Sequence, residues 1–238
     1  MNDSDRLQAR PRLRAPSGAA PGGPQAPHPG LHKLPLGGLR DSYLFVPDSY
    51  DPSRPAAVAL LLHGAGGHAH DGLRVLLHLA DNAGLMLVAP ASTGSTWDII
   101  ASGRYGPDLA LVEAALAWVF ERCAIDPARL AVGGFSDGAS YALSLGLNNG
   151  DLFSHVLAFS PGFAGPGTRR GRPGIFMSHG TRDPILPIDP CSRSIAAQLR
   201  ARGYPLRYRE FEGGHTIPPK VAEEAVDWLI AGKPAEEG

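Results

Sequence analysis

The sequence predicts an α/β fold, with a mostly parallel central sheet and helices on both faces, in one domain over residues 31–238. Three observations carry this. Short apolar runs bounded by Gly, Pro and Asp recur from about residue 40 onward. Most are continuously apolar rather than alternating, as strands covered on both sides are. Longer helix-like segments separate them, the pattern that parallel strands with right-handed crossovers produce. The chain has 238 residues, 43% of them hydrophobic, which is enough for one sizeable core.

In chain order the strand runs are Ser42–Val46, Val58–Leu62, Leu85–Ala89, Leu130–Val132, His155–Phe159, Ile175–Ser178 and Leu206–Phe211. Leu109–Arg122 carries apolar residues at helical spacing, with Asp108 as the expected N-cap after Pro107. Ala139–Leu147 and Ser192–Ala201 also read as helices. Lys220–Ile230 does too, opened by Pro218 and Pro219 and stopped by Gly232. Residues 1–30 are rich in Pro, Gly, Ala and Arg, and Leu7 and Leu13 are their only larger aliphatic residues. Such a stretch buries too little apolar surface to offset its ordering entropy, so a disordered tail is expected. No internal repeat is visible.

Twenty-two basic and 23 acidic side chains leave a formal charge of −1, so no global field points to nucleic acid or anionic membranes. Cys123 and Cys191 are too few for a disulfide framework and are expected to be reduced thiols. No apolar run is long enough to span a bilayer, and no apolar h-region follows Arg6, Arg10, Arg12 and Arg14. A cytoplasmic protein without a stable membrane anchor is the expectation. Charge and composition leave the oligomeric state open.

The strongest chemical signal is Gly133-Gly134-Phe135-Ser136-Asp137-Gly138-Ala139. Gly134 and Gly138 flank Ser136 at two-residue spacing, between an apolar run and a good helix former. A serine on such a strained strand-to-helix turn has its hydroxyl lifted above the sheet edge. The helix start also aims backbone N–H groups and a positive dipole end at that place, so the Asp137 N–H is a candidate oxyanion donor. The Asp137 carboxylate itself reads as a helix N-terminal charge.

A second signal follows Val58–Leu62, in His63-Gly64-Ala65-Gly66-Gly67. Small residues there let the backbone approach a ligand closely. The Ala65 N–H is the expected second oxyanion donor, ahead of Gly66. His63 is read as fixing the loop. His68 and His70 lack a companion carboxylate or cysteine pattern, so no metal is assigned. No cofactor is called for.

The remaining partners of a serine nucleophile should follow in the order acid, then histidine. Ile175-Phe176-Met177-Ser178-His179-Gly180-Thr181-Arg182-Asp183 is a strand running into a turn that ends in Asp183, with Ile185-Leu186-Pro187 expected to shield its carboxylate. Asp189 is the competitor, and Asp183 is preferred because it lies on the turn leaving the strand. His215, in Glu212-Gly213-Gly214-His215, follows the last run and is the only histidine after Asp183. Ser136, His215 and Asp183 then read as nucleophile, base and orienting acid.

GFSDGAS, SHGTRDPILP and GGHTIPP resemble the carboxylesterase/phospholipase branch of the α/β-hydrolases, which includes acyl-protein thioesterases. LLLHGAGG, preceded by YLFVPDSYDPSRPA, resembles the polyhydroxyalkanoate-depolymerase and feruloyl-esterase relatives. The resemblance covers about residues 42 to 231. It implies an α/β-hydrolase fold with a minimal lid, the triad Ser136–Asp183–His215, and an oxyanion hole from the N–H groups of Ala65 and Asp137. It also implies hydrolysis of a small or medium carboxylic ester. Lysophospholipase or thioesterase activity on the same triad is the alternative, and a non-catalytic binding protein the alternative of another class. Asp137 departs from the thioesterase branch, where Gln often follows the nucleophile. In the Gly/Ser-rich segment 91–107, Trp97 is a candidate substrate contact. Arg169, Arg170 and Arg172 in segment 161–173 read as a solvated basic loop rather than an anion site.

Overall fold

The computed structural model describes residues 26–232, so the expected tail falls almost wholly outside the described residues. Eight strands form one sheet, β1 Gly30–Leu34, β2 Ser42–Val46, β3 Ala56–Leu62, β4 Leu85–Ala89, β5 Ile125–Phe135, β6 His155–Phe159, β7 Gly174–Gly180 and β8 Leu206–Phe211. Their spatial order is β1-β2-β4-β3-β5-β6-β7-β8. β1 and β2 pair antiparallel, as do β2 and β4, and every later pairing is parallel. The sheet is mostly parallel, as the continuous apolar runs required.

The inner strands β3, β4, β6 and β7 are buried almost throughout. The edge strands β1 and β8 alternate instead. That alternation explains why β1 escapes the sequence reading. In GLHKL only Leu34 is buried, so no apolar run marks it, and its place is set by antiparallel register on β2 (Gly30 opposite Val46).

Helices α1 (Ala69–Arg74), α2 (Leu77–Ala80), α3 (Asp98–Ser102), α4 (Pro107–Arg122), α5 (Asp137–Asn148), α6 (Ser194–Ala201) and α7 (Pro219–Ile230) complete the described chain. One apolar cluster joins Val58, Leu60, Leu62 and Val88 to Val112 and Val119 of α4, Leu143 of α5 and Leu199 of α6. The other joins Ala57, Ala59, Leu61 and Leu87 to Leu73 of α1 and Val221, Val226 and Leu229 of α7. Alternate residues of β3 therefore feed opposite faces, which is the period-2 geometry of a strand inside a three-layer sandwich.

Three boundaries differ from expectation. Gly106, not Asp108, is the N-cap of α4, with Pro107 as its first residue. Asp108 is fully buried in the first turn, accepting hydrogen bonds from the N–H groups of Thr93 (2.7 Å) and Asp98 (2.7 Å). It therefore ties the preceding 93–98 segment instead of capping. Segment 91–107, read as loop, holds α3, whose single turn ends at Gly103 in left-handed geometry. A π-helical turn, Asp189–Arg193, leads into α6 and takes up the start expected at Ser192.

Candidate active site

Strand β5 ends at Phe135 and α5 begins at Asp137, leaving Ser136 alone at the turn with φ 57° and ψ −118°. A side chain with a Cβ is strained there. The turn is held by the Ser136 N–H on the Phe159 carbonyl (3.0 Å) and by the Ser140 N–H on the Ser136 carbonyl (3.0 Å). The end of β3 crosses directly beneath. A Cβ at Gly134 would stand 2.5 Å from the Leu62 carbonyl oxygen, and one at Gly138 only 2.0 Å from it. Both glycines are thus demanded by close backbone approach. Ser136 keeps 9% of its surface exposed at the rim.

The loop after β3 lies beside this turn, for a Cβ on Gly64 would meet that of Ser136 at 3.5 Å. Its shape is held from several sides. His63 is fully buried, and its Nδ1–H donates to the Gly64 carbonyl (2.7 Å) while Nε2 accepts the Ser92 N–H (2.9 Å). Burial pushes this imidazole below its usual range, keeping it neutral. The Arg40 guanidinium donates to the carbonyls of Gly67, Ser92 and Gly94 and contacts the His68 ring, stapling two loops together. The Gly66 N–H is spent on the Ser95 carbonyl (2.7 Å), whereas the Ala65 N–H has no acceptor among the described residues. The Asp137 N–H, first in α5, has none either. The Asp137 carboxylate accepts the Thr96 hydroxyl (2.5 Å) and ties the 91–97 segment to the helix start.

On the other side, Asp183 leaves β7 on a tight turn and its side chain is fully covered. Oδ1 accepts the N–H groups of Ile185 and Leu186, both at 2.9 Å. Oδ2 accepts the His215 Nδ1–H at 2.6 Å, which leaves the lone pair on Nε2 of that ring. Burial raises the Asp183 carboxyl, but the bonds from Leu186, His215 and Ile185 outweigh it and hold the group below the usual carboxylate range. The His215 ring packs on Phe135, next to Ser136, with centroids 4.6 Å apart. Ile185, expected to shield Asp183, is itself 65% exposed, and the buried His179 ring lies against the carboxylate instead. Asp189, the competing acid, lies on the π-helical turn and pairs with Arg193 at 2.9 Å.

Trp97 is corrected. It is fully buried beneath the loop after β3, its indole N–H on the His63 carbonyl (2.8 Å) and its ring stacked on Tyr141 (5.1 Å). An indole closed off from solvent on all sides supports the loop from below and presents no face to a substrate. His68 is the N-cap of α1, and His70 lies on the Tyr43 ring (4.3 Å). Of the three arginines, Arg169 turns inward to Asn148 Oδ1 and the Gly165 carbonyl, Arg172 reaches the Gly203 carbonyl, and Arg170 stays exposed. Arg169 lines a cavity of about 460 Å³ between segment 162–169 and α6, which the triad residues do not line.

The sequence reading missed Arg40, Thr96 and Ser192, whose partners lie 13 to 54 residues away and leave no local signal. His179 did stand in a quoted motif, four residues before the acid, and that spacing was its signal.

The esterase Est2 of Thermogutta terrifontis superposes with a TM-score of 0.66 at 17% identity, covering 85% of this chain and 94% of that one. A ferulic acid esterase from Anaeromyces mucronatus gives 0.61 at 17% identity, covering 93% and 98%. This is the α/β-hydrolase fold. Relatives are found in sequence as well. Feruloyl esterase C of Emericella nidulans is 28% identical over 158 residues, 63% of this chain and 57% of that enzyme. The probable feruloyl esterase C of Aspergillus flavus is 28% identical over 223 residues, 80% of each. Acyl-protein thioesterase 1 of Eremothecium gossypii is 30% identical over 124 residues, 46% of this chain and 50% of that one. The chain thus spans little more than half the length of some relatives it matches. No family model matches it.

Proposed function

We propose that this protein is a serine hydrolase that cleaves carboxylic esters. One observation carries the reading. Ser136 stands on a strained turn, Asp183 and His215 are bonded at 2.6 Å, and the His215 ring lies on Phe135, the residue immediately before the serine. His215 Nε2 takes the Ser136 proton as the hydroxyl oxygen attacks the ester carbonyl. Asp183 fixes the tautomer and stabilises the imidazolium. The free N–H groups of Ala65 and Asp137 receive the developing oxyanion. The alcohol leaves with the proton from His215, and water, with His215 again as base, releases the acid. No cofactor takes part.

The esterase relatives support a small-molecule ester substrate. The exposed side chains of Ile185, beside Asp183, and Phe163, on the loop after β6, offer apolar contacts to a small or medium acyl or aryl group. Thioester hydrolysis is the second reading, favoured by the similarity to an acyl-protein thioesterase. Cys123 and Cys191 are free and buried, which supports a reducing compartment such as the cytoplasm. Among the described residues no helix is long and apolar enough to cross a membrane.

The test is labelling by a fluorophosphonate together with turnover of nitrophenyl esters from acetate to decanoate. Wild type is expected to label and turn over, and Ser136→Ala to lose both, with turnover falling by about a millionfold. A folded wild type that neither labels nor hydrolyses any ester or thioester identifies a binding protein and overturns the proposal.

A further inference from the structure

His179 stands behind the acid and has no part in the mechanism above. Its ring is wholly buried at the end of β7. Nε2 lies 2.7 Å from the Leu186 carbonyl and 3.2 Å from Asp183 Oδ2, and Nδ1 lies 2.6 Å from the Ser192 hydroxyl. A carbonyl only accepts, so Nε2 carries the hydrogen and Nδ1 accepts the hydroxyl, which fixes a single neutral tautomer. Burial lowers this imidazole, outweighing the raising effects of the Leu186 bond and of Asp183, so the neutral form is also the stable one. The charged and titratable groups facing it are Asp183, His215 and Glu210, the last paired with Arg193.

The consequence is geometric. Leu186 is held at both ends of its peptide groups, its N–H on Asp183 Oδ1 and its carbonyl on His179. The same N–H of His179 leans toward Oδ2, the oxygen that takes His215. We propose that His179 is a positioning residue that clamps the 183–187 turn so that Asp183 presents Oδ2 to His215 in one orientation. This rests on the serine-hydrolase reading. Without the clamp the turn is free to tilt, and an error of about 1 Å in such a site costs on the order of a hundredfold in rate.

The experiment compares wild type, His179→Leu, His179→Gln and Ser192→Ala. It measures kcat, KM and the pH profile of nitrophenyl butyrate hydrolysis per fluorophosphonate-labelled serine, with a thermal melt for each. His179→Leu removes the donor and is expected to lower kcat by about tenfold to a hundredfold with KM little changed. The pH at which kcat/KM falls to half should move to lower pH, because the imidazole base loses support from a well-aimed carboxylate. His179→Gln keeps an N–H donor and should recover most of kcat. Ser192→Ala, which keeps the ring, should shift kcat and the profile in the same direction by less, and it carries the test if His179→Leu does not fold. Variants that melt earlier yet retain wild-type kcat and pH profile per labelled site would reduce His179 to a packing residue and overturn the proposal alone. A wild type that does not label would overturn the serine-hydrolase reading, and this proposal with it.

Discussion

At Ser136 the chain accepts a backbone conformation that side chains with a Cβ avoid, and two flanking glycines make the turn sterically possible. The strain is held by backbone bonds to β6 and α5. Gly138→Ala would drive a methyl group to 2.0 Å from a backbone carbonyl that cannot move without shifting β3. Its expected outcome is loss of both labelling and cooperative melting. Asp183→Asn is a different kind of change. The turn keeps its Ile185 and Leu186 bonds through the remaining oxygen, but the carboxylate that fixes the His215 tautomer is gone. We expect a normal melting curve with kcat lower by about ten-thousandfold, measured on nitrophenyl butyrate. A loss under tenfold would contradict the role of Asp183.

Loops gain their rigidity from elements distant in sequence. Arg40, just before β2, holds carbonyls of both the loop after β3 and the loop after β4. Arg40→Ala should therefore loosen the backbone that offers the Ala65 N–H. The expected cost is between about tenfold and a hundredfold in kcat, short of deleting an oxyanion donor outright, with faster hydrogen exchange confined to residues 64–68 and 92–95. Trp97 acts on the same loop from beneath. Trp97→Ala should destabilise the protein by about 3–5 kcal/mol, read from denaturant titration, because it empties a fully buried indole site between His63 and Tyr141. A variant that raised KM alone and kept its stability would restore Trp97 to the substrate side.

Across the molecule, His63 and His179 are both fully buried, and burial depresses both. In the unfolded chain each takes up a proton near the ordinary histidine range, about 6.5, while the folded state resists it. Protonation thus favours the unfolded chain, and stability falls as pH drops below that range, by at most about 1.4 kcal/mol per pH unit for each ring. Asp183 adds a loss of the same sign at lower pH, because its depressed carboxyl stabilises the fold only while ionised. Thermal melts from pH 8 to pH 5 should show a falling midpoint below about pH 6.5. A flat midpoint would mean that these rings are charged, or reach water, in the folded state.

The fold class, the strained turn at Ser136 and the segments that carry the proposed triad were legible because each is written locally. Runs such as those of β3 and β4 are apolar without interruption since each strand is covered on two faces, and that requirement falls on every residue of the run. GFSDG carries its glycines because backbone passes close by, a constraint felt at single positions. What the chain alone could not show depends on residues that meet only after the sheet is assembled. Strand β1 is ordered by its register on β2, Trp97 is enclosed by α5 and the loop after β3, and Gly66 loses its N–H to Ser95. The clamp of His179 on the acid turn is of the same kind, because hydrogen bonds between side chains and distant backbone leave no periodicity behind. Sequence determined which atoms were available for chemistry, and tertiary structure decided which of them were already bound to one another and which remained free.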